Sequence, residues 1–113
     1  MNEFVGFNTI KVDGATVEFY EKKSGNSRII GFDSRACVPP EPMINAMLAL
    51  NLISGENDKV IMLNHRFPVG LIPKIEPFFN YTQSEFEGGV QLEFSPKAGV
   101  EIEKFKASQM ECK

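Results

Sequence analysis

The sequence predicts an α+β fold: a two-layer sandwich of order β-α-β-α-β-β, with a mixed sheet, two helices on one face and an N-terminal β-hairpin. Three observations predict it. Two compact apolar stretches, Arg28 to Phe32 and Lys59 to Asn64, have the length and content of buried strands. Between them Met43, Ala46, Met47 and Leu50 recur at i, i+3, i+4 and i+7, the spacing of an apolar helix face. Further on, Gly88-Gly89 divides two stretches that alternate apolar and polar residues, which marks a second hairpin.

The bulk properties agree with one packed domain. A chain of 113 residues with 42% hydrophobic and 24% charged residues buries a single core. A net charge of −3 with scattered basic residues argues against nucleic acid, which calls for a concentrated basic surface. The two cysteines, Cys37 and Cys112, form neither a disulfide framework nor a CxxC motif. The most apolar run, Met43 to Ile53, is interrupted by Asn45 and Asn51 and is too short to cross a bilayer. No basic-then-apolar leader is read at the N-terminus, so the expected compartment is the cytoplasm, with no membrane partner.

Taken in order, Asp13-Gly14 reads as a type I′ turn, setting Val12 opposite Ala15, Ile10 opposite Val17 and Asn8 opposite Phe19. Glu21 to Ser27 reads as a polar connector, so residues 1–27 form a hairpin extension. The strand from Arg28 runs into Asp33 and a proline-rich turn. Pro42 suits the first turn of a helix, where its missing N–H costs nothing, and Gly55 is the expected C-cap. After the strand Lys59 to Asn64, the residues Leu71, Ile72, Ile75, Phe78 and Phe79 suggest a second helix. Pro73 and Pro77 keep it short or kinked. A three-residue loop, Glu87-Gly88-Gly89, then pairs Phe86 with Val90, Ser84 with Leu92 and Thr82 with Phe94. The central domain covers residues 28–95. Residues 96–113 form a tail or an edge strand around Val100 and Ile102.

The turn Asp33-Ser34-Arg35, continuing to Pro39-Pro40-Glu41-Pro42-Met43, together with the β-α-β-α-β-β order, resembles the TusA/SirA-like superfamily. It is most similar to an uncharacterised branch whose turn reads D-x-R-G-L-P-P-P-E-P-M, and the resemblance spans Ile29 to Phe94. In the sulfur carriers of that superfamily a cysteine precedes Pro-x-Pro at the helix start and carries a persulfide. A helix N-terminus stabilises such a thiolate. Aligned on Pro40-Glu41-Pro42, this chain has Pro39 at the carrier position, Ala36 in place of the glycine, and Cys37 two residues upstream. The resemblance therefore implies the carrier scaffold without the carrier cysteine.

Parallel strands joined by a crossover end on the same edge, where α/β folds bind ligands. The candidate site gathers Asp33, Arg35, Cys37 and Glu41 against Asn64, His65 and Arg66. Two guanidiniums, an imidazole and a helix start suit a small anion. Each residue also has a structural reading. Asp33 and Arg35 serve equally to tie down the turn, Cys37 to fill space, His65 to end a strand, and Glu41 to complement the helix dipole. A single histidine supports neither a triad nor a histidine pair for a metal, and no P-loop, GxGxxG, HExxH or GxSxG is present. The expectation is a non-enzymatic binding module for a small anionic or sulfur-containing ligand or a protein partner, without cofactor or metal. The alternatives are sulfur transfer through Cys37, or a homodimeric assembly protein presenting its ten phenylalanines.

Overall fold

The computed structural model describes residues 4–111, and their side chains through residue 106. Six strands form one mixed sheet: β1 (Asn8–Ile10), β2 (Phe19–Ser24), β3 (Ser27–Asp33), β4 (Lys59–Asn64), β5 (Phe79–Phe86) and β6 (Gly89–Pro96). The helices are α1 (Glu41–Leu50), α2 (Ile72–Ile75) and α3 (Ile102–Glu111). The strand order is β1-β2-β3-β4-β6-β5, with β3 and β4 parallel and every other pair antiparallel. Helix α1 is the crossover joining the parallel pair.

One face of the sheet builds the main core. Phe19 pairs with Phe32, Ile30 with Val60, Phe32 with Met62, Met62 with Leu92 and Val60 with Phe94, so these residues share a face. They form one cluster with Ala46, Ala49 and Leu50 of α1, Ile72 and Ile75 of α2, and Ile102 and Phe105 of α3. The N-terminal segment and the C-terminal helix thus contribute to the same core as the central residues. On the opposite face Gly31 leaves room for the Phe4 ring, which stacks on Tyr20 with centroids 5.1 Å apart. A Cβ at Gly31 would come within 2.3 Å of that ring. No helix among the described residues is long and apolar enough to cross a membrane.

Several local expectations are corrected. The turn at Asp13-Gly14 forms, closed by Ala15 N–H donating to the Val12 carbonyl at 3.1 Å. Only Gly14 has a positive φ, so the turn is not type I′, whose twist would keep the strands paired. β1 instead pairs with β2 through Asn8–Glu21 and Ile10–Phe19, and residues 11–18 leave the sheet as a loop. The stretch read as a polar connector is largely strand β2. It turns at Gly25-Asn26, with Gly25 at φ +60° in the first central position, as a type II′ hairpin requires. Helix α1 ends at Asn51, whose Nδ2 donates to the Met47 carbonyl at 2.8 Å. Gly55 lies beyond it, in a turn where its N–H and that of Ser54 donate to Asp58.

The last hairpin has the two-residue loop Glu87-Gly88, with Phe86 opposite Gly89 and Glu85 opposite Val90. Strand β5 is exposed along most of its length, so alternation there does not set the register. Gly89 does constrain it, because a Cβ at that position would lie 2.0 Å from the Asn64 carbonyl oxygen. The C-terminal segment is helix α3 rather than an edge strand or tail. Ile102 and Phe105, three residues apart, bury a helical stripe that the Val100/Ile102 alternation obscures. Helix α2 is short, as expected, with Pro73 in its first turn, but it stops at Ile75, and Phe78 and Phe79 lie outside it, Phe79 opening β5.

Candidate functional site

The carboxyl ends of β3 and β4 meet at Ser34. This fully buried residue donates its N–H to the Leu63 carbonyl at 2.7 Å. Its Oγ lies 2.9 Å from both that carbonyl and Asn64 Oδ1. Asn64 Nδ2 in turn donates to the Arg66 carbonyl at 2.9 Å, holding the chain that leaves β4. With Asn64 at this junction, the other six candidate residues divide into three groups.

Asp33 and Arg35 form the first. Arg35 donates Nε to Asp33 Oδ1 at 3.0 Å and Nη2 to Oδ2 at 2.7 Å, and its backbone N–H donates to Oδ1 at 3.0 Å. The guanidinium lies 5.0 Å from the centre of the Phe86 ring and donates Nη1 to the Glu87 carbonyl at 2.6 Å. Those hydrogen bonds hold the Asp33 carboxyl below its usual range, against the opposing effect of partial burial. Arg35 therefore ties the turn to the β5–β6 hairpin.

Cys37 and Glu41 form the second group, facing the loop 11–18. Asn45, fully buried on α1, accepts the Thr16 N–H at 3.0 Å and donates Nδ2 to Thr16 Oγ1 at 2.9 Å. Thr16 Oγ1 lies 3.3 Å from Glu41 Oε1. Burial pushes the Cys37 thiol above its ordinary value, and the hydrogen bond and negative charge of Glu41 push it further. A contact with Thr16 partly offsets this. The site at the helix start thus disfavours the thiolate.

His65 and Arg66 form the third. They line a pocket of ≈ 340 Å³ on the other side of the helix start, walled by Pro39, Pro40, Pro42 and Met43 and by residues 67–71. The volume is at the small end of the range of about 300–1,000 Å³ usual for small-molecule sites. Arg66 is exposed at this pocket, and His65 is half-buried. His65 Nδ1 is buried and has no hydrogen-bond partner, alone in this among the side-chain polar atoms of the described residues. A larger hollow, ≈ 630 Å³, is lined only by residues of β1 and the loop that follows it. It is the concavity of one loop, whereas the smaller pocket joins the end of β4 and the loop after it to the turn and first residues of α1.

Sequence reasoning missed Thr16, Ser34 and Asn45, the residues whose hydrogen bonds shape this edge. Only Asn45 left a signal, as a polar break in an apolar run. Among the described residues no group of three histidine, cysteine or acidic side chains is placed to hold a metal ion. Compared with known protein families, curated proteins and solved structures, the chain finds no match in any of the three.

Proposed function

We propose that this chain is a non-enzymatic binding module on a two-layer scaffold resembling the TusA-like carriers. Its ligand is small and largely apolar with one anionic group, taken up between the Pro39–Met43 turn and the loop after β4. The observation that carries this reading is the pocket itself: walls of proline, methionine and phenylalanine, with His65 and Arg66 as its charged or ionisable members. Because Arg35 is engaged by Asp33, Phe86 and Glu87, the cationic contribution falls to Arg66. His65, whose Nδ1 is buried without a hydrogen-bond partner, has hydrogen-bonding capacity left over for the ligand. An apolar wall with a few convergent polar groups is the usual composition of a small-molecule site.

Sulfur transfer through Cys37 is the weaker reading, since burial and Glu41 both act against the reactive thiolate.

Hexanoate, hexanol and hexylamine test the reading by amide chemical-shift titration. Hexanoate should produce saturable shifts confined to residues 39–43 and 64–71, with hexanol weaker and hexylamine weakest. Arg66→Ala and His65→Ala should each reduce the hexanoate response. Shifts scattered over the surface, or equal responses to all three probes, would overturn it.

A further inference from the structure

The two edges of the sheet are built differently. The β1 edge is three residues long, and the chain leaves it for a loop fastened to α1 through Thr16 and Asn45. The β5 edge is eight residues long and pairs with β6 without interruption from Phe79–Pro96 to Phe86–Gly89. Its side chains are exposed from Asn80 to Glu85, so both faces of the strand meet solvent there.

An open edge presents a row of unpaired backbone donors and acceptors. Proteins that keep such an edge unpaired usually interrupt it with lysine, proline or a bulge. β5, with the sequence FNYTQSEF, has none of these. No described element other than β6 pairs with its backbone.

We propose that β5 is a homodimerisation edge, pairing antiparallel with β5 of a second copy to join two six-stranded sheets into one. Charge permits a second copy as the occupant and selects the direction of pairing. Glu85 is the only aspartate, glutamate, lysine, arginine or histidine between Phe79 and Phe86. Parallel self-pairing would set the two carboxylates side by side, a destabilising arrangement. Antiparallel pairing centred at Thr82, which places Thr82 opposite its own copy, separates them by six residues, about 20 Å at ~3.4 Å per residue. That exceeds the screening length of about 8 Å at physiological salt. The middle of the strand, Asn80 to Ser84, is uncharged and self-compatible in this direction.

An apolar flank extends the same edge. Tyr81 is 37% exposed and its ring packs 5.9 Å from Phe67, while Val69, 74% exposed, donates its N–H to the Phe67 carbonyl. The phenylalanines are drawn inward and none stands among the exposed large apolar residues, so they do not supply a competing surface.

Sedimentation of the full chain from low micromolar to millimolar concentration tests the proposal. The wild-type chain should pass from monomer to dimer. Thr82→Lys, which brings two ammonium groups together near the two-fold axis, should raise the dissociation constant by about tenfold or more. Amide hydrogen exchange at the two concentration extremes supplies a readout independent of the variant. Slowing at high concentration should be concentrated in residues 80–85. A chain that stays monomeric at millimolar concentration, a dimer that Thr82→Lys leaves intact, or slowed exchange located elsewhere would each overturn the assignment.

Discussion

The two sides of the α1 start share a backbone and differ in how their polar groups are treated. On the side facing loop 11–18, Asn45 is fully buried and both ends of its amide are bonded to Thr16. On the side facing the pocket, His65 Nδ1 is buried with no partner. A buried polar group left without a partner costs about 1–3 kcal/mol, and most are satisfied. The difference separates a side whose polar groups fasten the turn from the side to which we assign binding. The satisfied side holds the fold together, and the unsatisfied side tolerates a local cost of the kind found at sites built for another purpose.

The comparison breaks first at Asn45. Asn45→Ala removes both hydrogen bonds to Thr16, leaving its hydroxyl only Glu41, and should destabilise the chain by about 2 kcal/mol in urea unfolding while leaving hexanoate binding unchanged. A loss below about 0.5 kcal/mol, the scale of an ordinary surface substitution, would erase the distinction.

Asp33 comes next, with about 1 kcal/mol expected for Asp33→Asn, since the ion pair with Arg35 is well formed but partly exposed. Its carboxyl is held low in the folded chain, so its contribution is complete above the unfolded value of about 4 and is lost as pH falls through the lowered folded value. The stability gap between wild type and Asp33→Asn should therefore be constant near neutrality and close in acid. A gap that widens in acid would contradict the assignment.

Cys37 sharpens the comparison kinetically. In a Cys112→Ser background, iodoacetamide should modify Cys37 slowly at neutral pH, with the rate rising at higher pH than for an ordinary thiol. Glu41→Gln removes a negative charge beside the thiol and should accelerate the reaction severalfold. An unchanged rate would show that Glu41 does not act on it.

The smallest stability effect is expected at His65. His65→Leu replaces a ring carrying an unsatisfied nitrogen with an apolar side chain, so stability should stay within about 0.5 kcal/mol of wild type or rise. Hexanoate binding should fall. If stability drops by as much as in Asn45→Ala, the pocket side is as structural as the latched side.

Much of the architecture was legible from side-chain periodicity. The strand Lys59–Asn64 is a run of apolar residues at strand length, and its pairing with β3 through a helical crossover follows from chain order. The bond between Ser34 and the end of β4 places the two strand-end loops together, as expected of a parallel pair. Turns and registers were less legible. Alternation favours the three-residue loop Glu87-Gly88-Gly89, whereas the observed loop is Glu87-Gly88, with Gly89 paired in the sheet and lying against the backbone of Asn64 and His65. Helix α3 was obscured because only Ile102 and Phe105 of its described side chains are buried, too few to display a period against a polar background.

The sequence by itself determined the central strands β3 and β4, the helical crossover that makes them a parallel pair, and the neighbourhood of the candidate residues, because these depend on local pattern and chain order. Only the tertiary structure decided which residues share a side of the helix start. Asp33 and Arg35 turn toward Phe86 and Glu87, Cys37 and Glu41 toward Thr16, and His65 and Arg66 toward the prolines. These partners lie far apart in the chain. Their selection depends on which donors and acceptors find each other once the core has closed, and no local pattern records that.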